Sequence, residues 1–204
     1  FWNCEWSPRI IQSLRKILVR DGRKFSSIKF YDCAVQSDEI NAGFFQEILR
    51  MVLEHNSTTS LVIKGRNLVR ANTSQQQQEQ FTCQSSSGHC SATSLASALR
   101  ESLADNTSLK SVSLSGLNFS CASSVEDLSI ALSKNTTLQS VCLRNSSLDD
   151  ESIAQLLQSL TEHPNLTSLD LSRNFLGARK SNGAFSSNMA LKTVANLLRC
   201  KNSK

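Results

Sequence analysis

The chain is predicted to be an α/β protein: a curved arc with parallel strands on its concave side and helices on its convex side. Three observations predict this. The stretch NTSLKSVSLSGLNF, beginning at Asn106, comes back 29 residues later as NTTLQSVCLRNSSL, beginning at Asn135. Within each copy apolar and polar residues alternate, the period-two pattern of a short strand with one buried face. Between copies, apolar residues recur at helical spacing. A strand followed by a helix and another strand places the two strands parallel, with the helix packed on one side of them.

In chain order, Phe1, Cys4 and Trp6 stand 29 residues before Phe30, Cys33 and Val35, so the sequence opens inside a repeat. Ser7-Pro8 signals a helix start, with Pro at the first helical position. Phe25, Ile28, Phe30, Cys33 and Val35 make the next strand and turn, and Ile40, Phe44, Ile48 and Val52 line the helix after them. Leu61, Ile63 and Leu68 mark a further strand, followed by a helical stripe of Leu95, Ala98, Leu99 and Leu103. Leu109, Val112, Leu114 and Phe119 precede Ser123-x-x-Glu126, which reads as a capping box. Leu138, Val141, Leu143 and Leu148 repeat the strand, and Asp149, Asp150 and Glu151 open a helix where acids suit the N-terminal dipole. That helix carries Ile153, Leu156, Leu157 and Leu160 on one face. Leu166, Leu169, Leu171, Asn174 and Leu176 form the last strand, and a helix is expected over 189–198.

The segment LTSLDLSRNFL is a complete L-x-x-L-x-L-x-x-N-x-L, and the other copies match it in part. These residues resemble the leucine-rich repeat, and the 28–29 spacing resembles its long, ribonuclease-inhibitor-like class. The resemblance covers nearly all of residues 1–204, as one solenoid of about six repeats. Helices about 10 Å wide stacked against strands about 4.8 Å apart force such a stack to curve. Leu117 and Ser146 stand where the family has Asn or Cys, so those two turns are expected to lack its side-chain hydrogen bonds.

Two segments interrupt the period. Residues 70–90 form a polar, low-complexity insertion, read as a loop leaving the solenoid, either disordered or binding. Its Cys83, His89 and Cys90 fall short of a zinc ligand set. A smaller insertion spans 178–188. Neither end carries a recognisable polar cap, so flanking repeats or neighbouring chains are expected.

The net charge of +5 gathers in the first third of the chain, a pattern that suits an acidic partner or a solvated helix face. Aromatic residues are not interleaved with the basic ones, which argues against nucleic acid. No run of apolar residues is long enough to span a membrane. Seven cysteines without framework spacing read as reduced thiols and a cytoplasmic location. Seven N-x-S/T sequons, at Asn56, Asn72, Asn106, Asn118, Asn135, Asn145 and Asn165, point instead to an extracellular glycoprotein. Several of them, however, recur at one place in the repeat.

No nucleophile elbow, phosphate loop or dinucleotide fingerprint occurs, and His55 and His163 read as turn residues, so an enzyme is not expected and no cofactor or metal is called for. Attention falls on the strand positions between the buried ones. There, and just beyond the strands, Lys29, Tyr31, Lys64, Arg66, Lys110, Arg144, Asp170 and Arg173 are the candidate partner-binding residues. The family resemblance implies a protein-recognition scaffold within a larger protein, either a structural subunit or the sensor part of a receptor-like protein. The alternative is a regulator of a small GTPase, resembling leucine-rich-repeat GTPase-activating proteins, with Arg144 or Arg173 as its functional arginine.

Overall fold

The computed structural model describes residues 5–6, 12–13, 16–17, 25–31, 34–35, 47, 49–53, 57–65 and 90–176. Five strands build the main sheet: β2 (Ser27–Tyr31), β4 (Ser60–Lys64), β5 (Ser111–Ser113), β6 (Ser140–Cys142) and β7 (Ser168–Asp170). They lie in sequence order and all pair in parallel. A second, two-stranded parallel sheet joins β1 (Glu5–Trp6) to β3 (Ala34–Val35). Its register sets Trp6 against Val35, the pair that the 29-residue offset aligns.

The main register follows the repeat residue by residue. Ile28 pairs with Leu61, Leu61 with Val112, Val112 with Val141, and Val141 with Leu169. The reason is burial: each strand has one apolar row, and slipping by one residue would turn that row into water. Among the described residues, three helices lie between β4 and β7: α1 (Cys90–Ser102), α2 (Ala122–Lys134) and α3 (Asp150–Leu160). Leu95, Ala98, Leu99 and Leu103 from the first stripe, and Ile153, Leu156, Leu157 and Leu160 from the last, are buried in one continuous core with the strands' apolar row. Across the first helix pair, Thr93 and Ser124 hydroxyls meet at 2.9 Å and Arg100 donates to Asp127 at 2.7 Å.

The turns that start the strands share one device. Asn106 and Asn135 are buried; each accepts backbone N–H groups from the residues that follow it and donates its amide to the preceding repeat. His163 takes the same place, its Nδ1 accepting from the N–H of Leu166 at 3.1 Å and of Asn165 at 3.4 Å. It is a turn residue, as its sequence context suggests. Two of the seven sequons are thereby explained: Asn106 and Asn135 hold the turns, and their amides face the interior.

Two local expectations are corrected. The capping box at Ser123 does not form: the N-cap is Cys121, in extended backbone, with no side-chain cap bond. Ser123 is already inside the first turn, where its hydroxyl meets the Cys121 thiol at 3.1 Å instead of closing the helix end. Nor does the turn at Ser146 lack side-chain bonds. Its hydroxyl donates to Leu114 O at 3.0 Å and Arg144 O at 3.3 Å, and its N–H donates to Asn174 Oδ1 at 2.8 Å. The short side chain suffices because the neighbouring repeat's Asn174 completes the turn from outside.

Asp149 caps α3, accepting from Ser152 N–H at 2.9 Å, with Asp150 and Glu151 in the first turn as expected. Ser129 in α2 is buried, and its hydroxyl has no hydrogen-bond partner among the described residues. Ser129→Ala is therefore expected to keep or raise stability, by up to about 1 kcal/mol, in urea unfolding. A loss of that size would show that the hydroxyl does have a partner.

The insertion at 70–89, the segment 178–188, the helix expected over 189–198 and the helix start at Ser7-Pro8 lie outside the described residues. So do Cys33, Ile40, Phe44, Ile48, His55, Arg66, Leu68, Cys83 and His89, and the sequons at Asn56 and Asn72. Cys90, placed at the end of the insertion, begins α1.

Candidate functional site

Helices cover one face of the main sheet, and the residues between the buried ones form the opposite, open face. Parallel pairing in register arranges them in rows across the strands. Ser27, Ser60, Ser111, Ser140 and Ser168 stand in one row. Lys29, Val62, Ser113, Cys142 and Asp170 stand in the next. Beyond it Tyr31 pairs with Lys64, and the ladder continues as Gly65 N–H donates to Ser115 O and Gly116 N–H to Arg144 O. On the leading side, Lys110 N–H donates to Thr59 O and Gln139 N–H to Lys110 O.

Of the predicted site residues, Lys29, Lys64, Lys110 and Arg144 are exposed on this face, and Tyr31 and Asp170 are half-buried there. Arg173 is also exposed, but in the turn after β7, with a positive φ of 61° that sets it on the rim. The register thus brings the strand residues together and leaves Arg173 apart.

One grouping was not singled out from sequence. The Ser113 and Ser115 hydroxyls meet at 3.0 Å, Ser115 meets the Cys142 thiol at 3.2 Å, and that thiol donates to Asp170 Oδ2 at 3.7 Å. Ser172 N–H donates to Asp170 Oδ1 at 2.9 Å. The offsets of 29 and 28 already place Ser113, Cys142 and Asp170 side by side, and that alignment was the available signal. The Cys142 thiol is in no disulfide among the described residues.

The Ser172 hydroxyl and its backbone N–H, with smaller help from Cys142 and Arg144, hold the Asp170 carboxyl below its ordinary value. A carboxylate whose folded pKa is lowered adds stability above its unfolded pKa, near 3.9, and loses it as pH falls through the folded value. Asp170→Asn is therefore expected to flatten the acid side of the stability profile from about pH 5 downward. Circular dichroism across that range checks it; an unchanged acid slope would remove Asp170 as a contributor.

Parallel strands in register, helices on one face and asparagine-held turns define an α/β fold of leucine-rich-repeat type. The chain is similar to the tropomodulin C-terminal domain of Caenorhabditis elegans, with a TM-score of 0.56 and 11% identity over 95% of this chain and 93% of that one. A structure titled leiomodin-1 actin-binding site 2 also matches, with a TM-score of 0.41 and 20% identity over 56% of this chain and 76% of that one. No family model and no curated protein matches the sequence.

These findings correct the ribonuclease-inhibitor-like assignment. The structural match is a tropomodulin domain, and it establishes the fold without that class. The spacing misleads because it only sums a strand of 3 residues, a helix of 11 to 13 and two turns. Any strand–helix repeat with a helix of three turns reaches it.

Proposed function

We propose that the protein is a non-enzymatic interaction scaffold, working inside the cell, whose protein partner docks on the open sheet face. One observation carries the reading. Five strands have one face sealed by a helix-covered core, while the other exposes Lys29, Lys64, Lys110 and Arg144. A face that carries charge and contributes nothing to the core is available to a partner, and its basic balance suits an acidic one. The intracellular part is supported by seven cysteines without framework spacing and by the structural use of the Asn106 and Asn135 amides.

The test is quantitative affinity purification of the tagged protein from its native cells. The double variant Lys64→Glu/Arg144→Glu is compared with Lys134→Glu, an exposed position on the far side in α2. Proteins that co-purify with the wild type are expected to be lost with the double variant and kept with Lys134→Glu. Equal retention by both variants would move the interaction off the sheet face.

A further inference from the structure

We infer that the open sheet face takes an extended acidic polypeptide segment, laid across the strands. This rests on the interaction reading above and adds the partner's conformation and path. Charge separation carries it. Among the described residues of the sheet face, Asp170 is the single acid against Lys29, Lys64, Lys110 and Arg144. Helices α1–α3, which cover β5–β7, have the reverse balance: they hold Glu101, Glu126, Asp127, Asp150 and Glu151 against Arg100 and Lys134, while the helical Lys16 and Arg50 lie earlier in the chain. A negatively charged chain is drawn to the sheet side and repelled from α1–α3.

The distribution of the basic residues sets the path. Lys110 stands at the leading ends of the strands, and Lys64 and Arg144 stand at the trailing ends. Between these two rims lies the row of five serines, with Ser113 and Cys142 beside it. The floor is therefore low and polar, bounded by cations on both sides, and it continues from strand to strand. Tyr31 is the single aromatic residue of the face among those described, so the anchoring by large aromatic side chains that folded partners favour is sparse. Serine hydroxyls both donate and accept, which matches the carbonyls, amides and carboxylates of an extended acidic chain. Strands about 4.8 Å apart make the row roughly 19 Å long, the span of about six extended residues.

The experiment measures fluorescence anisotropy of a labelled oligoglutamate peptide of about eight residues, enough to cover that span. It uses the whole chain, its folding checked by circular dichroism. Oligoglutamine of the same length and a single-stranded oligothymidylate serve as the other probes. Oligoglutamate is expected to bind, oligoglutamine to fail, and affinity to fall with added salt. Lys64→Glu/Arg144→Glu is expected to weaken binding at least about tenfold, and Lys134→Glu to leave it unchanged. Equal binding of oligothymidylate would mark a general polyanion surface and overturn the polypeptide assignment. No binding of oligoglutamate, or binding indifferent to the double variant, would overturn the acidic segment. The interaction reading fails separately, by co-purification that is indifferent to the same variant.

Discussion

Asn135→Ala is expected to cost about 3–5 kcal/mol, a large part of the roughly 5–15 kcal/mol that holds an ordinary domain folded. Asn135 is 0% exposed, and its side chain serves two repeats at once. Its amide donates to Leu103 O at 2.8 Å and Asn106 O at 2.9 Å. Its carbonyl accepts from Thr137 N–H and Leu138 N–H, each at 2.9 Å. Alanine leaves the Thr137 and Leu138 N–H groups without that acceptor, each loss worth roughly 1–3 kcal/mol before relaxation, while Leu103 O keeps only Asn106 N–H at 3.3 Å and Asn106 O only the Thr137 hydroxyl at 3.3 Å. Asn165→Ala is the control: that residue is exposed, with a single amide bond to Thr136 O at 2.7 Å, and should lose no more than about 1 kcal/mol. Urea unfolding of the two variants checks the contrast. A loss at Asn135 no larger than at Asn165 would show that the turn does not depend on its asparagine.

Gly65→Ala is expected to cost about 2–3 kcal/mol, through a clash that cannot be relieved by side-chain movement. A Cβ at this position would lie 2.6 Å from Gly116 O, 2.8 Å from Leu117 Cδ2 and 3.3 Å from Gly116 C. The leucine can rotate, but the carbonyl belongs to a backbone held in place on both sides. Gly65 N–H bonds to Ser115 O at 3.0 Å, and Gly116 N–H bonds to Arg144 O at 3.0 Å. Thermal unfolding should show the loss, and the double variant Gly65→Ala/Leu117→Ala should not recover it. Recovery in the double variant would mean that the leucine, rather than the backbone, sets the limit. Leu117 occupies the turn position filled by Ser146 and Asn174 in the next two repeats, so the glycine accommodates a turn built without a hydrogen-bonding side chain.

Much of the frame was legible because burial repeats along the chain. Val112, Val141 and Leu169 align by spacing, Ile28 and Leu61 by the strand motif despite the insertion between repeats, and the same five residues pair across the sheet. The helical stripes were legible for the same reason, since Leu99 and Leu157 lie on faces that apolar periodicity marks. The end of a helix is less legible. At Ser123 the motif had the right letters, but the backbone turned helical two residues earlier, and the cap fell to a cysteine that cannot serve as well. At Ser146 the expected deficit vanished because Leu114 O and Asn174 reach it from the repeats on either side. The family class was misread because a period reports only the lengths of its parts.

The candidate site divides in the same way. Lys29, Lys64, Lys110 and Arg144 could be named from their places between buried positions; the strand period puts Lys29, Lys64 and Arg144 on one face, while Lys110 stands just before β5. That Arg173 stands off on the rim depends on a positive φ in the turn after β7. That Ser113, Ser115, Cys142 and Asp170 bond into one chain depends on distances across three strands.

By itself, then, the sequence determined the alternation of strand and helix, the register and the residues of the open face. Each of these follows from which side chains must leave water, a property written along the chain. Tertiary structure decided the helix cap at Cys121, the bonds of Ser146, the polar chain ending at Asp170 and the separation of basic sheet from acidic helices. The cap at Cys121 is set by where the local backbone turns helical, and the others depend on atoms that meet only when one repeat is laid against the next, about 30 residues away in sequence.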